Sequence, residues 1–201
     1  MTNLTPLRNF INEPHCDLGV NAWVLADLAK GMKNARFIDL GVRLGASSAM
    51  MSINAAENNN KVCGCDLMFD GFQKQGARFV NEDYTCYMAD SVTLGKEWDE
   101  DPFDIIFVDT IHTREQVLAE LYFWVDHLKE GGYLIFHDTH WVGPNGEDNP
   151  VAEDTYGDTI GGKLWKRPDV AVTDFFNLPK SVREMTEYEN DDILLEHYIP
   201  S

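Results

Sequence analysis

Two apolar runs of the chain, "DIIFVD" and "GYLIFHD", each end on an acid with imidazoles close by. The residues concerned are Asp109 and His112 at the first run, and His137, Asp138 and His140 at the second. Carboxylates are the ligands that a hard cation such as Mg²⁺ prefers, and an imidazole beside a hydroxyl can accept its proton. A strand that serves only packing needs neither group. The pattern therefore predicts metal binding or proton transfer, with a loop cap as the structural alternative for each acid.

Three further acids stand at or near the ends of apolar runs: Asp39, Asp66 and Asp90. Each alone is compatible with a helix cap or a solvated turn. Three in succession favour a ligand site, because a carboxylate that ends the second strand of a nucleotide-binding unit accepts hydrogen bonds from ribose hydroxyls. We therefore expect an adenosine-like ligand at Asp66, with Asp90 and Ser91 beside its base.

The loop "DLGVRLGASS" spaces Asp39, Gly41 and Gly45 as Asp-x-Gly-x-x-x-Gly. This is not the Gly-x-Gly-x-x-Gly of dinucleotide enzymes, since position 43 is arginine. Gly41 permits a tight turn out of the strand, and Gly45 permits backbone to approach a ligand. A nicotinamide oxidoreductase is consequently the least favoured enzyme class.

Five runs position these residues, and their length and β-branched and aromatic content predict strands. They cover 36–40, 61–67, 84–90, 103–109 and 132–138. The runs are apolar on both faces and alternate with helical stretches, which predicts an α/β fold with a doubly wound, mostly parallel sheet. Ligands of such sheets bind outside the carboxyl ends of the strands, where the acids stand.

Helix boundaries are predicted from caps and glycines. One helix is expected to end at Gly31, before the first strand, and another to begin near Ser47 or Ser48. The clearest helix has Thr113 as its N-cap, with Gln116 completing a capping box. Its apolar face and its end are predicted from the following residues: Val117, Leu121, Trp124 and Leu128 for the face, and Lys129, Gly131 and Gly132 for the end.

Residues 141–167 break the alternation and are dense in Gly, Pro, Asn and Asp. A loop of this length after a strand end is either functional or a passive surface excursion, and the functional interpretation is a lid over the site. A short helix is expected from residue 169, with a strand as its alternative. Two strands, "SVREMTEYE" and "DILLEHYI", then predict a closing antiparallel hairpin. The whole chain, 1–201, is expected to be one domain.

Composition excludes several partners. The 16 basic and 34 acidic residues give a net charge of −18, which repels nucleic acid but admits a small substrate or a cation. No apolar run approaches the roughly 20 residues needed to span a bilayer, and no signal peptide is visible, so no membrane partner and a cytoplasmic location are expected. The four cysteines lack CxxC spacing and are expected to be reduced packing residues.

The chain resembles the class I S-adenosylmethionine-dependent methyltransferases over roughly residues 18–140. The resemblance is carried, in order, by "FIDLGVRLGASSAM", "GCDL", "MADS", "DIIFVDTIH" and "GGYLIFHDTH". It is strongest with the small-molecule O-methyltransferases, the catechol-type enzymes and the cephalosporin-hydroxylase-like proteins. Thr110 departs from the usual Asp-Gly-x-His of that branch but leaves Asp109 and His112 in place.

The resemblance implies a Rossmann-like methyltransferase fold and S-adenosylmethionine as cofactor. The loop from Asp39 to Gly45, with the serines that follow it, would hold the methionine part of the cofactor. The other implied roles are ribose binding near the second strand end and adenine binding near the third, by Asp66, Leu67, Asp90 and Ser91. Members of the family often pair, so a homodimer is an expectation, and the acceptor is expected to be a small molecule.

In the catechol-type enzymes an acid after the fourth strand and an acid–amide pair after the fifth hold Mg²⁺. Asp109 and Asp138 match the two acids, but Thr139 stands where the amide would be. His112 or His140 could supply the third ligand, while His137 either binds the metal or packs and orients Asp138. With histidine ligands, Mn²⁺, Fe²⁺ or Zn²⁺ are alternatives to Mg²⁺. The expected reaction is methyl transfer to a hydroxyl, with His112 or His140 taking its proton.

Two alternatives keep the same fold. A hydroxylase-like relative would use the site for another reaction, since fold alone does not define chemistry. A catalytically silent protein would bind the cofactor and retain the acids only as caps. Metal-dependent turnover separates the leading hypothesis from the silent protein.

Overall fold

The structure, a computed structural model, describes seven stretches of the chain. They are residues 4–14, 16, 18–19, 22–111, 114–137, 183–187 and 193–198, the single residue 16 and the pair 18–19 being separated by short gaps. His112, Asp138, His140, the 141–167 segment and the helix expected from residue 169 lie outside these stretches. Their predicted roles therefore stay predictions.

The described residues form seven α-helices, two short 3₁₀ helices and seven strands. The helices are α1 Thr5–Ile11, α2 Ala22–Gly31, α3 Ala46–Met51, α4 Ala55–Asn58, α5 Asp70–Lys74, α6 Ser91–Glu97 and α7 Arg114–Trp124. The strands are β1 Arg36–Leu40, β2 Lys61–Asp66, β3 Thr85–Met88, β4 Phe103–Val108, β5 Leu128–His137, β6 Arg183–Glu187 and β7 Ile193–Tyr198. The five predicted strands are confirmed, as is the end of α2 at Gly31.

The strands form one α/β, Rossmann-like sheet in the order β3-β2-β1-β4-β5-β7-β6. Strands β1 to β5 are parallel. Strand β7 pairs antiparallel with β5, and β6 pairs antiparallel with β7. The turn expected to join β6 to β7, residues 188–192, is not described, so the closing hairpin stays a prediction.

Helices cover both faces of the central strands β1, β4 and β5, which explains why these strands are largely apolar, whereas the edge strand β3 is mostly exposed. One buried cluster joins α1, α2 and α3 to the first face, through residues such as Leu25, Met50 and Phe107. The other joins α7 to the opposite face, through Leu121, Trp124 and Phe136. Burial of this kind is the main stabilising term of such a fold. No helix in the described stretches is long and apolar enough to cross a membrane.

The predicted end of the α7 helix is wrong. The helix ends at Trp124, a 3₁₀ turn covers Val125–His127, and Leu128 already begins β5. Lys129 lies in the strand, where its ammonium binds Asp104 Oδ2 at 2.7 Å. Leu128 pairs with Phe103 of β4, so sheet pairing overrides the local helix signal of the glycines.

Strand order explains where a ligand can bind. Strand β1 lies between β2 and β4, so the chain crosses to opposite sides of β1 on leaving it and on returning. The loops that follow β1 and β4 diverge at this point and leave a crevice at their carboxyl ends. The acids at the ends of β2, β3 and β4, which are Asp66, Asp90 and Asp109, lie together at this edge of the sheet.

Candidate cofactor and substrate site

The turn after β1 depends on Gly41. Its φ is 96°, and a Cβ at this position would lie 2.0 Å from the carbonyl oxygen of Asp109. The Gly41 N–H donates to Cys65 O at 2.9 Å, and the Asp109 N–H donates to Leu40 O at 2.8 Å. The ends of β1, β2 and β4 therefore lie close together at Gly41. The tight turn predicted for this glycine is present.

A cavity of about 230 Å³ opens at this edge of the sheet. It is lined by residues at or just beyond the carboxyl ends of β1, β2, β3 and β4 and by one residue of α7. They are Gly41, Arg43, Cys65, Asp66, Leu67, Ala89, Asp90, Ser91, Asp109, Thr110, Ile111 and Gln116. Six predicted site residues meet here: Gly41, Asp66, Leu67, Asp90, Ser91 and Asp109.

Asp66, the last residue of β2, lines this cavity and is held by backbone amides. Its Oδ2 accepts from the N–H of Arg43 at 2.8 Å, and its Oδ1 accepts from the N–H of Met68 at 3.1 Å. Arg43 adopts a left-handed backbone with φ of 47°, which turns its amide toward the acid. Each carboxylate oxygen can accept a further hydrogen bond, so the pair suits two neighbouring hydroxyls of a ligand.

Asp90 serves as a helix cap and also lines the cavity. It is the N-cap of α6, and its Oδ1 accepts from the N–H of Thr93 at 2.8 Å. Ser91, the first residue of that helix, is buried and also lines the cavity. Asp90 can thus cap the helix and contact a ligand at the same time, so the two interpretations of this acid do not exclude each other.

The remaining residues predicted to bind the cofactor stabilise the loop between β1 and α3 by contacts within the protein. Asp39 is fully buried, and its Oδ2 accepts from Ser47 Oγ at 2.6 Å and from Ser48 Oγ. Gly45, not a serine, is the N-cap of α3. A Cβ on Gly45 would lie 2.5 Å from a ring carbon of Phe72, so its close approach is to the protein interior. Cofactor contact by these four residues stays a prediction.

Burial raises the pKa of Asp39 to about 7, although the two serine hydrogen bonds oppose the shift. The nearby charges of Asp109 and Asp66 raise it further. Ser48 Oγ also lies 2.7 Å from the Tyr84 hydroxyl. The buried Asp39 carboxyl group therefore changes its charge near neutral pH.

Asp109 lines the cavity beside a buried histidine. The Nδ1 atom of His137 lies 3.3 Å from Asp109 Oδ1, and the His137 side chain is 1% exposed. Both residues were predicted as metal ligands, but the third predicted ligand, Asp138, is not described. Within the described stretches no group of three or more His, Cys, Asp or Glu side chains could hold a metal ion.

Sequence reasoning missed Glu120 of α7, which is 0% exposed. Its Oε1 accepts from Ser91 Oγ at 2.5 Å, from Thr110 Oγ1 at 2.7 Å and from Gln116 Nε2 at 3.1 Å. A signal was present in the sequence: Glu120 stands three residues after Val117 and four before Trp124, on the apolar face of the helix.

Residues 38–139, just over half of the chain, match the sequence profile of a family described as a methyltransferase domain. A search of the curated proteins finds no match.

Solved structures share the fold at low sequence identity. An SAH-bound methyltransferase, PaMTH1, from Podospora anserina superposes with a TM-score of 0.71 and 13% identity, over 98% of this chain and 88% of that one. An O-methyltransferase from Bacillus cereus in complex with SAH gives 0.63 and 14%, over 98% and 93%. The O-methyltransferase TomG from Streptomyces achromogenes, in complex with SAM, gives 0.63 and 12%, over 97% and 86%.

The pKa of Asp39 predicts a pH-dependent stability. The folded protein holds a proton on this acid up to about pH 7, whereas the unfolded chain releases it near pH 3.8. Protonated Asp39 therefore makes its full contribution to the free energy of unfolding below the pKa of the unfolded chain. That contribution is lost as pH rises through the pKa of the folded protein. Between pH 5 and 7.5, wild type should lose about 2 kcal/mol more unfolding free energy than Asp39→Asn, measured with urea.

Asp83→Asn, at an exposed loop acid, is the matched control and should follow the wild-type pH profile. Parallel profiles for wild type and Asp39→Asn would contradict the assignment.

Proposed function

This chain belongs to the methyltransferase domain family, and from that premise we propose that it transfers a methyl group from S-adenosylmethionine to a hydroxyl of a small molecule. The observation that carries the proposal is the cavity at the sheet edge, which Gly41, Asp66 and Ser91 line. Asp66 ends β2, and β2 lies between β1, which Gly41 follows, and β3, after which Ser91 stands. Such a lining matches a ligand with a diol at its centre and two unlike ends.

The cofactor would lie along the cavity with its ribose at Asp66. Both carboxylate oxygens accept backbone amides and keep capacity for one hydroxyl each. The base would then point toward Asp90 and Ser91, and the methionine part toward the Gly41 turn. At that turn the absence of a side chain brings the backbone of Asp109 within reach of the sulfonium end.

The acceptor hydroxyl would approach from the Asp109 side. The reaction joins the hydroxyl oxygen to the methyl carbon while the bond from that carbon to sulfur breaks, and the hydroxyl proton leaves to a base. His112 and His140 are the proposed bases. Much of the barrier reduction in such a transfer comes from holding the two reacting atoms in line, and the 141–167 segment is proposed to close over them.

A divalent cation, with Mg²⁺ favoured, is proposed beside Asp109. Asp109 and His137 would hold it together with Asp138, and the 3.3 Å separation between Asp109 Oδ1 and His137 Nδ1 is compatible with a shared ion. When bound, such an ion lowers the pKa of an acceptor hydroxyl and so favours its deprotonation. The strong negative charge of the chain also suits cation binding and disfavours nucleic acid as the acceptor.

Asp66→Asn tests the cofactor site. The variant replaces one of the two acceptor oxygens of the carboxylate by an amide NH₂ group, which donates. Binding of S-adenosylhomocysteine should therefore weaken at least tenfold, measured by titration calorimetry. Loss of a charge-assisted hydrogen bond typically costs about 1.5–3 kcal/mol, which is tenfold or more. Asp83→Asn should bind as wild type does.

The proposed site would be contradicted if Asp66→Asn, with an unchanged thermal unfolding profile, bound the ligand as tightly as wild type. Absence of binding to wild type would contradict the cofactor itself.

Asp109→Asn tests the metal. With S-adenosylhomocysteine present, Mg²⁺ titrated into wild type should give a saturable heat, and the variant should need at least tenfold more Mg²⁺. The reason is that the amide removes the negative charge that a hard cation prefers. Asp101→Asn is a suitable control, because that carboxylate is 87% exposed and remote from the cavity. Equal Mg²⁺ affinity in wild type and Asp109→Asn would exclude Asp109 as a ligand.

A further inference from the structure

A buried carboxylate lies directly behind one end of the cavity. Glu120 is 0% exposed and does not line the cavity, but its three hydrogen-bond partners, Ser91, Thr110 and Gln116, all do. All three bind the same oxygen, Oε1, at distances from 2.5 to 3.1 Å. Glu120 is thus the common acceptor behind three lining side chains.

These hydrogen bonds determine which way the polar groups point. Ser91 and Thr110 have one hydroxyl hydrogen each, and both are donated to Glu120. The Gln116 amide nitrogen donates to Glu120 Oε1 and to Ser91 Oγ, at 3.1 and 3.2 Å, which uses both its hydrogens. The side-chain hydrogens of this cluster therefore face away from the cavity, and what these groups can offer a ligand is oxygen lone pairs.

Packing alone does not account for an acid at this position. Glu120 lies on the face of α7 that buries Val117, Leu121 and Trp124, where an aliphatic residue would fill the space without the cost of burying a carboxyl group. That cost is evident in the raised pKa of Glu120, which burial causes against the hydrogen bonds of its three partners. Oε1 accepts from the three donors whether the group is ionised or neutral.

Trp124 of α7 also fixes the position of Ser91 in this cluster. The indole N–H of Trp124 donates to the carbonyl oxygen of Ser91 at 2.9 Å. Trp124 is fully buried, and a Cβ on Gly95 of α6 would lie 2.7 Å from its indole nitrogen. The contact between α6 and α7 therefore sets the distance between Ser91 and Glu120.

We propose that Glu120 is a positioning residue that makes this end of the cavity a wall of hydrogen-bond acceptors and so selects a 6-aminopurine over a 6-oxopurine. The proposal rests on the proposed function, which places the cofactor base beside Ser91. The exocyclic amine of adenine donates two hydrogens, which such a wall accepts. The carbonyl oxygen of hypoxanthine would face the same lone pairs unpaired, a mismatch that polar sites reject strongly.

The test compares S-adenosylhomocysteine with S-inosylhomocysteine by titration calorimetry. Wild type should bind the inosine form at least tenfold more weakly. Glu120→Gln, whose side-chain carbonyl can take the place of Oε1, should keep that preference. Glu120→Leu frees the three donors to face the ligand, so the preference should fall below threefold. Glu97→Leu, at an exposed acid of α6, should behave as wild type does.

Unchanged selectivity in folded Glu120→Leu, or equal binding of the two compounds by wild type, would overturn the inference. If Glu120→Leu does not fold, Thr110→Val decides: it removes one acceptor from the wall and should lower the preference at least threefold, and an unchanged preference would overturn the inference. Binding of neither compound to wild type would overturn the proposed function instead.

Discussion

The contact between the backbone of Gly41 and the carbonyl of Asp109 is the constraint on which the site depends. It lies where β1 and β4 end side by side, and it leaves no room for even a methyl group on Gly41. The amide of the same glycine binds the end of β2 through Cys65. This contact holds the ends of β1, β2 and β4 together, so that Asp66 and Asp109 lie around one cavity.

Two fully buried acids support the cavity from opposite sides, and each holds hydroxyl groups. Asp39 binds the serines that open α3, and Glu120 binds the serine that opens α6. Both have raised pKa values because burial disfavours the charged form. The acids that line the cavity, Asp66 and Asp109 among them, keep access to ligand. The chain thus separates carboxyl groups that organise the site from those that can bind in it.

Much of this arrangement could be predicted from the sequence. The strands were recognisable because they are apolar on both faces, and parallel pairing then placed Asp66, Asp90 and Asp109 at one edge. The end of α7 could not be predicted correctly, because Gly131 and Gly132 are typical of a helix end. In the structure, β5 begins to pair with β4 before these glycines. Glu120 was missed because a single acid within an apolar stripe is ordinarily read as a polar interruption. Its role emerges only when the residues after β3 and β4 are brought beside α7.

Ser47 and Ser48 show a further limit of sequence reasoning. Serines at a helix start favour an N-cap, but here Gly45 takes that place and both hydroxyls point back to Asp39. Local propensity cannot distinguish these arrangements, because the competing acceptor comes from the preceding strand. Local propensity likewise cannot show that Asp90 both caps α6 and lines the cavity.

A crystal structure of the protein with S-adenosylhomocysteine would test the central claim most directly. The account predicts the ribose hydroxyls within hydrogen-bond distance of Asp66, with the adenine amine facing Ser91 and Thr110 and the homocysteine end at Gly41. A ligand lying elsewhere, or in the cavity with its base at Gly41, would contradict the account.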